Sequence, residues 1–243
     1  MKKIAIVTGA SRGIGKATAK KLAESDYAVC VNYLKDKEKA LALVDEINQH
    51  GGSAIAVQAD MSSEKDILKL FETVDQTLGP VTALVNNAGI NGGIAEVEHI
   101  TLACLQHVFA TNVFATFIAC REAVKRMKAH GGGTIVNLSS EAARFGGNKM
   151  AHYAASKAAV NTFTIGFARE VAPFNIRVNT VSPSVIDTDM HQSSSPERMA
   201  HLLKTIPTGR MGTPDEVAKL IAWLLSDESS YVSGAIIPIT GSR

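Results

Sequence analysis

Residues 4–15 read Ile-Ala-Ile-Val-Thr-Gly-Ala-Ser-Arg-Gly-Ile-Gly, an apolar run followed by a turn with three glycines. A short β-branched run that ends at glycine is typical of a buried strand followed by a tight turn. The residues after Gly15 follow a helical pattern, so the turn opens a helix whose free amides and positive dipole end favour a phosphate group. A glycine-rich loop alone is a weak signal, but its place between a strand and an amphipathic helix predicts a dinucleotide-binding loop.

The same alternation of short apolar runs and helical patterns continues along the chain. The predicted strands are 4–8, 28–32, 54–58, 83–86, 134–138, 177–181 and 235–239. The predicted helices are 13–25, 36–50, 63–78, 100–128, 151–172 and 213–226. Strands that are apolar on both faces and separated by helices form a parallel sheet that is covered on both sides. Right-handed crossovers then predict a Rossmann-type, doubly wound α/β fold with seven parallel strands in a single domain over residues 1–243.

Composition excludes several classes of protein. Of 243 residues, 46% are hydrophobic and 20% are charged, which is ordinary for a globular chain and argues against disorder. The net charge of +2 gives no basic footprint for nucleic acid. The N-terminal apolar run stops at Thr8, too early for a secretory signal, and no apolar stretch is expected to reach membrane-spanning length. We therefore predict a soluble, cytoplasmic protein with no membrane partner.

Cysteine and histidine usage predicts neither disulfides nor a metal. The three cysteines are widely spaced and form no CxxC pair, which favours a reducing compartment. The seven histidines form no HxxH pair, and His191 and His201 are expected to be surface residues rather than ligands.

The glycine spacing, with three residues between Gly9 and Gly13, resembles that of the short-chain dehydrogenase/reductase family, and further markers follow in order over essentially the whole chain. They are Thr8, Asp60, Asn86-Asn87-Ala88-Gly89, Asn112, Ser140, Tyr153 with Lys157, and the segment 183–188. The resemblance implies an oxidoreductase that moves hydride between a nicotinamide cofactor and a carbonyl or alcohol carbon.

The resemblance also implies the cofactor-binding residues. Asp60 would accept a hydrogen bond from the adenine amino group, and Ile186 and Thr188 would contact the nicotinamide carboxamide. The family usually has glycine where this chain has Ser184, so the nicotinamide pocket is expected to be narrower. The full predicted set is Gly9, Ser11, Arg12, Gly13, Ile14, Gly15, Asn32, Tyr33, Asp60, Met61, Asn87, Ala88, Gly89, Tyr153, Lys157, Pro183, Ile186 and Thr188.

The end of the second strand bears on the choice of cofactor. Enzymes that use NAD carry an acid at this point, which binds the ribose 2′-hydroxyl. Here the strand ends in Val31-Asn32-Tyr33, and Arg12 in the glycine-rich loop is placed to meet a 2′-phosphate. We therefore predict a preference for NADP(H), with NAD(H) as the alternative because Asp36 lies close by.

The predicted catalytic residues are Asn112, Ser140, Tyr153 and Lys157. Tyr153 and Lys157 share a helix face because they are four residues apart. A neighbouring ammonium and an oxidised nicotinamide are expected to lower the tyrosine pKa, so that the phenol exchanges a proton with the substrate oxygen. The resemblance implies that Ser140 holds that oxygen. It also implies that Asn112 kinks its helix and holds a water that links Lys157 to solvent.

The substrate is left open between two classes. One is a small sugar, polyol or ketone, and the alternative is a 3-oxoacyl group on an acyl-carrier protein. Arg144, Phe145 and Lys149 could bind a small polyhydroxy or anionic substrate. Carrier-protein reductases place basic residues at two helix ends. Here Lys125, Arg126 and Lys128 occupy the first end, while Pro173-Phe174 replaces the usual basic residue of the second.

The resemblance also implies a substrate lid, which would span about 184–206.

Two further expectations concern assembly and activity. A non-catalytic nucleotide-binding regulator is a remote alternative, and the presence of both Tyr153 and Lys157 disfavours it. Helices that are apolar nearly all round are buried on both sides, which predicts a homotetramer. The apolar residues that support this are Val113, Phe114, Phe117 and Ile118 on one helix and Val160, Phe163, Ile165 and Phe167 on another.

Overall fold

The structure is a computed structural model that describes residues 3–189, 199 and 202–243. Seven parallel strands form one sheet in the order β3-β2-β1-β4-β5-β6-β7. They are β1 (Lys3–Val7), β2 (Tyr27–Tyr33), β3 (Ser53–Gln58), β4 (Ala83–Asn86), β5 (Gly133–Leu138), β6 (Ile176–Pro183) and β7 (Ile236–Ile239). The predicted seven-stranded doubly wound fold is therefore confirmed.

The helices lie between the strands, as the sequence pattern predicts. They are α1 (Gly13–Ala23), α2 (Lys37–Gln49), α3 (Glu64–Thr77), α4 (Leu102–Phe109), α5 (Ala115–Ala129), α6 (Ala142–Phe145), α7 (Ala151–Val171) and α8 (Pro214–Leu225). Two details differ from the prediction. The helix predicted over 100–128 is two α-helices joined by a π-helical turn at Ala110–Phe114, and the short helix α6 was not predicted.

Alternate residues of each buried strand feed two apolar layers. Ala5 and Val7 of β1 face the layer that contains α1, α2 and α8 residues, whereas Ile4 and Ile6 face the layer that contains α3, α5 and α7 residues. Successive side chains of a strand point to opposite faces, so a strand that is apolar throughout supplies both layers. The sheet is thus a rigid central support from whose edge the loops project.

One helical segment corrects the expectation about membrane-length stretches. The continuous segment Leu102–Ala129 is long and apolar enough to cross a membrane by length and composition alone. In the fold, Ala119, Cys120, Ala123 and Met127 pack in the apolar layer against the sheet. The core helix of a soluble protein passes the same test of length and composition.

The apolar residues predicted to lie at an oligomer interface divide into two groups. Val113 and Val160 are buried within the chain. Phe114 and Phe117, by contrast, are 57% and 46% exposed. The Phe117 ring contacts the Phe163 ring in a tilted arrangement with centroids 3.8 Å apart, so an aromatic face extends from α5 onto α7.

Candidate active site

The strand order opens a crevice at one edge of the sheet. β1 is hydrogen-bonded to β2 on one side and to β4 on the other, so the connections leave β1 and β4 in opposite directions. Ligands of open α/β sheets bind at such a switch point, outside the carboxyl ends of the strands. The glycine-rich loop follows β1 and the segment Asn87–Gly89 follows β4, so both lie at this crevice.

The glycines of the loop are required for two reasons. Gly9 and Gly13 have φ of +61° and +54°, a region that L-residues rarely adopt. A Cβ on Gly15 would lie 2.5 Å from the Asn87 side-chain nitrogen and from the Gly9 carbonyl oxygen, so only glycine lets α1 approach β4 this closely. The loop geometry thus accounts for the glycine spacing from the sequence.

The loop forms a cradle for a phosphate group. Helix α1 begins at Gly13, and Arg12 before it makes no side-chain cap, so the first-turn amides have no partner within the helix. Such amides together with the helix dipole favour an anion. The exposed Arg12 guanidinium lies 3.5 Å from the Asp189 carboxylate, across the mouth of the crevice. These residues fit the diphosphate of a dinucleotide, with Ser11 and Ile14 contributing to the same loop.

Thr8 joins the two halves of the crevice, a role that the sequence analysis did not assign to it. Its hydroxyl oxygen accepts hydrogen bonds from the Asn87 and Ala88 amides at 3.0 and 2.9 Å. The Asn87 side-chain amide donates to the carbonyls of Thr8 and Gly9 at 2.8 and 3.0 Å. These bonds fix the end of β4 against the glycine-rich loop.

Asn32 supports the loop from beneath. Its side-chain oxygen accepts from the Gly9 amide at 3.0 Å, and its side-chain nitrogen donates to the Ala59 carbonyl at 3.2 Å. Asn32 and Tyr33 are both buried. The side chain of Asn32 is therefore engaged within the protein, and the prediction that Asn32 and Tyr33 contact the cofactor remains a prediction.

Asp60 lies at the next strand end along the sheet. One of its carboxylate oxygens accepts from the amide and the hydroxyl of Ser62 at 2.8 and 2.7 Å, which shapes the turn into α3. Asp60 is half-buried, and the neighbouring Met61 is buried. The contact of Asp60 with adenine stays a prediction.

Ser140, Tyr153 and Lys157 meet at the crevice as predicted. Ser140 follows β5, and its side chain hydrogen-bonds to that of Tyr153 in the first turn of α7. The Lys157 ammonium lies one turn further, 5.9 Å from the centre of the Tyr153 ring. It donates to the Leu138 carbonyl at 2.7 Å. A phenol, a hydroxyl and an ammonium thus converge at the carboxyl end of β5.

Burial shifts the pKa values of this group. Burial raises the pKa of Tyr153 above its ordinary value of 10.0, and the hydrogen bond with Ser140 offsets this only in part. Among the protein's own groups, desolvation of the phenolate outweighs the stabilising contacts. The expected lowering of the tyrosine pKa by the ammonium and an oxidised nicotinamide together stays a prediction. Burial lowers the pKa of Lys157 from 10.5 to about 8, so this ammonium can lose a proton near neutral pH.

Asn112 ties the π-helical turn to the crevice. Its side-chain oxygen accepts from the Ile90 amide at 2.9 Å, and its side-chain nitrogen donates to the Ile90 carbonyl at 2.9 Å and to the Ser156 hydroxyl at 3.0 Å. A Cβ on Gly89 would lie 3.2 Å from the Asn112 side-chain oxygen and 3.3 Å from the Lys157 nitrogen. The predicted irregularity of the helix at Asn112 is present, and Gly89 leaves room beside Lys157.

The segment after β6 returns to the glycine-rich loop. Ile186 is buried and pairs with Gly212 in a parallel bridge. The Thr188 methyl group would lie 3.4 Å from a Cβ on Gly13, so this segment closes one side of the crevice. Pro183 ends β6 and accepts from the Glu141 amide at 3.0 Å. Of the predicted lid, residues 190–198, 200 and 201 lie outside the described part of the chain, and His191 and His201 lie among them.

The basic residues predicted beside the site, Arg144 and Lys149, each contact a neighbouring side chain. Lys149 forms an ion pair with Glu96 at 2.9 Å, and the Arg144 guanidinium lies 5.2 Å from the centre of the Phe145 ring. Glu96 also belongs to an exposed group with Glu98 and His99, whose ligand atoms lie close enough to hold an ion. Nothing further in the described residues indicates a ligand at this exposed group.

Comparison with known proteins assigns the chain to a family. A family model described as enoyl-(acyl carrier protein) reductase matches residues 9–241. The chain is 46% identical over 245 residues to the uncharacterized oxidoreductase YgfF of Escherichia coli (strain K12), with 99% of each chain covered. The chain is a short-chain dehydrogenase/reductase. The resemblance inferred from its glycine spacing and its Tyr-x-x-x-Lys pair is thereby confirmed.

Other members of the family differ in substrate. This short-chain dehydrogenase/reductase is 37% identical to the 3-oxoacyl-[acyl-carrier-protein] reductase FabG of Staphylococcus aureus (strain Mu50 / ATCC 700699), covering 99% of this chain and 98% of that protein. It is 36% identical to glucose 1-dehydrogenase 2 of Bacillus subtilis (strain 168), covering 98% and 93%. Relatives at nearly equal identity thus carry either of the two substrate classes left open by the sequence.

A solved structure agrees with the fold and with the class of cofactor. A 7α-hydroxysteroid dehydrogenase complexed with NADH and 7-oxo glycochenodeoxycholic acid matches with a TM-score of 0.94 at 35% identity, covering 98% of this chain and 93% of that chain. The short-chain dehydrogenase/reductase described here is therefore an oxidoreductase with a nicotinamide cofactor site.

Proposed function

We propose that the protein is an NADP(H)-dependent oxidoreductase that reversibly reduces a small carbonyl compound to an alcohol, with Tyr153 as the acid and base. The convergence of Ser140, Tyr153 and Lys157 beside the glycine-rich crevice carries this proposal. A phenol and a hydroxyl that share a hydrogen bond can together hold one substrate oxygen.

The residues divide the proton chemistry among them. Ser140 and Tyr153 hold the carbonyl oxygen, and Tyr153 donates its phenolic proton to that oxygen as the alcohol forms. A nicotinamide held along the crevice would supply the hydride chemistry at the carbonyl carbon, in either direction. Lys157, with a pKa of about 8, stabilises the phenolate that remains and returns a proton to it. Asn112 would hold a water that links Lys157 to solvent.

The cofactor would be held along the crevice. The first-turn amides of α1 would bind the diphosphate, and the segment Asn87–Gly89 would approach a ribose. Arg12 supports a preference for NADP(H), because a guanidinium binds phosphate in bidentate fashion and this one is exposed at the mouth of the crevice. Strand β2 ends at Tyr33 without an acid. Use of NAD(H) is the alternative.

The pairing of the basic residues at the end of α5 favours a small substrate over an acyl-carrier protein. A reductase that serves an acidic carrier benefits from unpaired basic residues that steer association. Lys125 and Arg126 are instead paired with Glu122, and Lys128 lies 3.7 Å over the Phe174 ring. The identity to the carrier-protein reductase keeps a 3-oxoacyl substrate as the second candidate.

Assembly and location are two further parts of the proposal. We infer a homotetramer, supported by the exposed Phe114 and Phe117, which a second copy of the chain would cover. We place the protein in the cytoplasm, supported by the three free thiols of Cys30, Cys104 and Cys120. No nucleic acid or membrane partner is proposed.

A substrate panel tests the function. The purified protein is given NADPH or NADH with small ketones, aldoses and acetoacetyl-carrier protein, and loss of the reduced-nicotinamide absorbance is followed. We expect the highest kcat/KM with NADPH and a small carbonyl. A far higher kcat/KM for the carrier-bound substrate that collapses at high salt would establish the second candidate instead.

A further inference from the structure

Unpartnered polar atoms are concentrated beside the active site. In the part of the chain that the structure describes, six buried side-chain atoms lack a hydrogen-bond partner. Four of them belong to residues that directly follow or precede a predicted site residue: Glu141 beside Ser140, His152 beside Tyr153, and Ser184 beside Pro183. Buried polar groups are normally paired, because an unpaired one costs free energy, so this concentration calls for a ligand.

Glu141 and Ser184 lie on the same wall of the crevice. The Glu141 amide donates to the Pro183 carbonyl at 3.0 Å, which brings the residue after Ser140 against the residue before Ser184. The Ser184 amide donates to the Ile239 carbonyl at 3.0 Å, which holds this residue against β7. Glu141 is only 8% exposed. One Glu141 carboxylate oxygen and the Ser184 hydroxyl nevertheless bond neither to each other nor to another described group.

His152 belongs to a different wall. A Cβ on Gly92 would lie 2.8 Å from the His152 Nε2 atom and 2.5 Å from a Val108 methyl group. This imidazole therefore packs against the loop after β4 and against α4, and it is not part of the pair formed by Glu141 and Ser184.

The pair defines the chemistry of its ligand. A carboxylate oxygen accepts hydrogen bonds only, and it repels anions, whereas a serine hydroxyl both donates and accepts. Their natural partner is a neutral group that carries an O–H donor close to the carbonyl held by Ser140. We propose that Glu141 and Ser184 form a subsite for a substrate hydroxyl, so that hydroxyl-bearing carbonyl compounds are preferred over plain ketones.

This subsite rests on the proposed function and makes its substrate class more specific. A site built to bond a hydroxyl rejects the analogue that lacks it, because the buried groups are then left unpaired. The amide N–H of a nicotinamide carboxamide is the other donor that the crevice could bring to this wall. The experiment therefore measures substrate preference and cofactor affinity separately.

Hydroxyacetone and butanone provide the matched substrates, since a hydroxyl in one replaces a methyl in the other. For the wild type we expect a higher kcat/KM with hydroxyacetone. Glu141→Met should lower the hydroxyacetone-to-butanone ratio by about tenfold, because a charge-assisted hydrogen bond is lost. Glu141→Gln and Ser184→Ala should lower it less. Asn148→Ala, at an exposed position, is the control that keeps the wild-type ratio.

The Tm and the NADPH Kd of the variants show whether Glu141 and Ser184 bind the substrate hydroxyl or only support the fold. Removing an unpaired buried carboxylate should leave the Tm of Glu141→Met unchanged or higher, and the Kd for NADPH should stay at the wild-type value. A wild-type ratio near one, or variants that keep the wild-type ratio, would overturn the subsite. A higher Kd for NADPH in the variants, with an unchanged hydroxyacetone-to-butanone ratio, would overturn the subsite and indicate that these groups bind the nicotinamide carboxamide. A wild type that reduces no small carbonyl with either cofactor would overturn the proposed function, and the subsite with it.

Discussion

Lys157 is the buried cation of the site, and its burial disfavours the charged form of its side chain. Its nitrogen donates to the Leu138 carbonyl, but among its surroundings desolvation is the dominant influence and lowers its pKa from 10.5 to about 8. Between these two pH values the unfolded chain binds more protons than the folded chain does. The free energy of unfolding therefore rises as the pH increases through 8, and below pH 8 the buried charge lowers stability by a constant amount.

This linkage gives a prediction for Lys157→Met. The unfolding free energy of the wild type minus that of the variant should rise by roughly 2 kcal/mol between pH ~7.5 and pH ~9.5. Urea denaturation at several pH values measures it. The range ends before pH ~10, where the raised pKa of Tyr153 acts in the opposite direction. Lys39→Met, at an exposed position, should show a flat difference, and a flat difference for Lys157→Met would contradict the prediction.

At the scale of elements, the crevice depends on a connection between two strand ends. Thr8 at the end of β1 accepts from two successive amides after β4. The Asn87 side chain strengthens the same connection by donating hydrogen bonds to the Thr8 and Gly9 carbonyls. The cofactor cradle is therefore a property of the β1–β4 junction rather than of the glycine-rich loop alone.

Thr8→Val tests this junction because valine keeps the shape and removes the hydroxyl. The Ala88 amide loses its acceptor and the Asn87 amide keeps only its hydrogen bond to the Val85 carbonyl, so we expect a loss of about 2 kcal/mol in unfolding free energy. The Kd for NADPH should increase by about tenfold, as measured by fluorescence titration. Thr8→Ser restores the acceptor and should return both values toward the wild type. Equal effects of the two variants would show that the hydroxyl does not hold the junction.

The elements also show what local sequence patterns convey. Seven of the eight helices had predicted counterparts, with close boundaries for five of them and one shared counterpart for α4 and α5, because each has a periodic apolar face or lies between two strands. The π-helical turn at Ala110–Phe114 was not predictable in detail, since Asn112 is held there by Ile90, 22 residues away in the chain. Helix α6 has only four residues, which is too short for a periodic signal.

At the scale of the whole molecule, the fold was predictable from strand composition. Strands apolar on both faces can be buried only in a sheet covered by helices on both sides, and this fixed the architecture. The convergence of Ser140, Tyr153 and Lys157 was predictable because their spacing resembles that of the family. The engagement of Asn32 beneath the loop was not, because its partners lie on other strands.

The exposed aromatic face formed by Phe114, just before α5, and Phe117 in α5 predicts the state of assembly. Phe114 and Phe117 are large apolar side chains on one surface, and a second copy would remove them from water. We expect light scattering to give four chain masses for the wild type and a smaller assembly for Phe114→Glu with Phe117→Glu. Leu41→Glu, on α2 at the opposite face of the sheet, should remain tetrameric. A monomeric wild type would contradict the interface.

The most direct test of the catalytic assignment is a comparison of turnover and cofactor affinity in Tyr153→Phe. Phenylalanine keeps the ring beside Lys157 and removes only the transferable proton and the hydrogen bond with Ser140. We expect kcat/KM for a small carbonyl to fall by about a thousandfold, while the Kd for NADPH stays within about twofold of the wild type. Retention of more than about a tenth of the wild-type rate would contradict the assignment of Tyr153 as the acid and base.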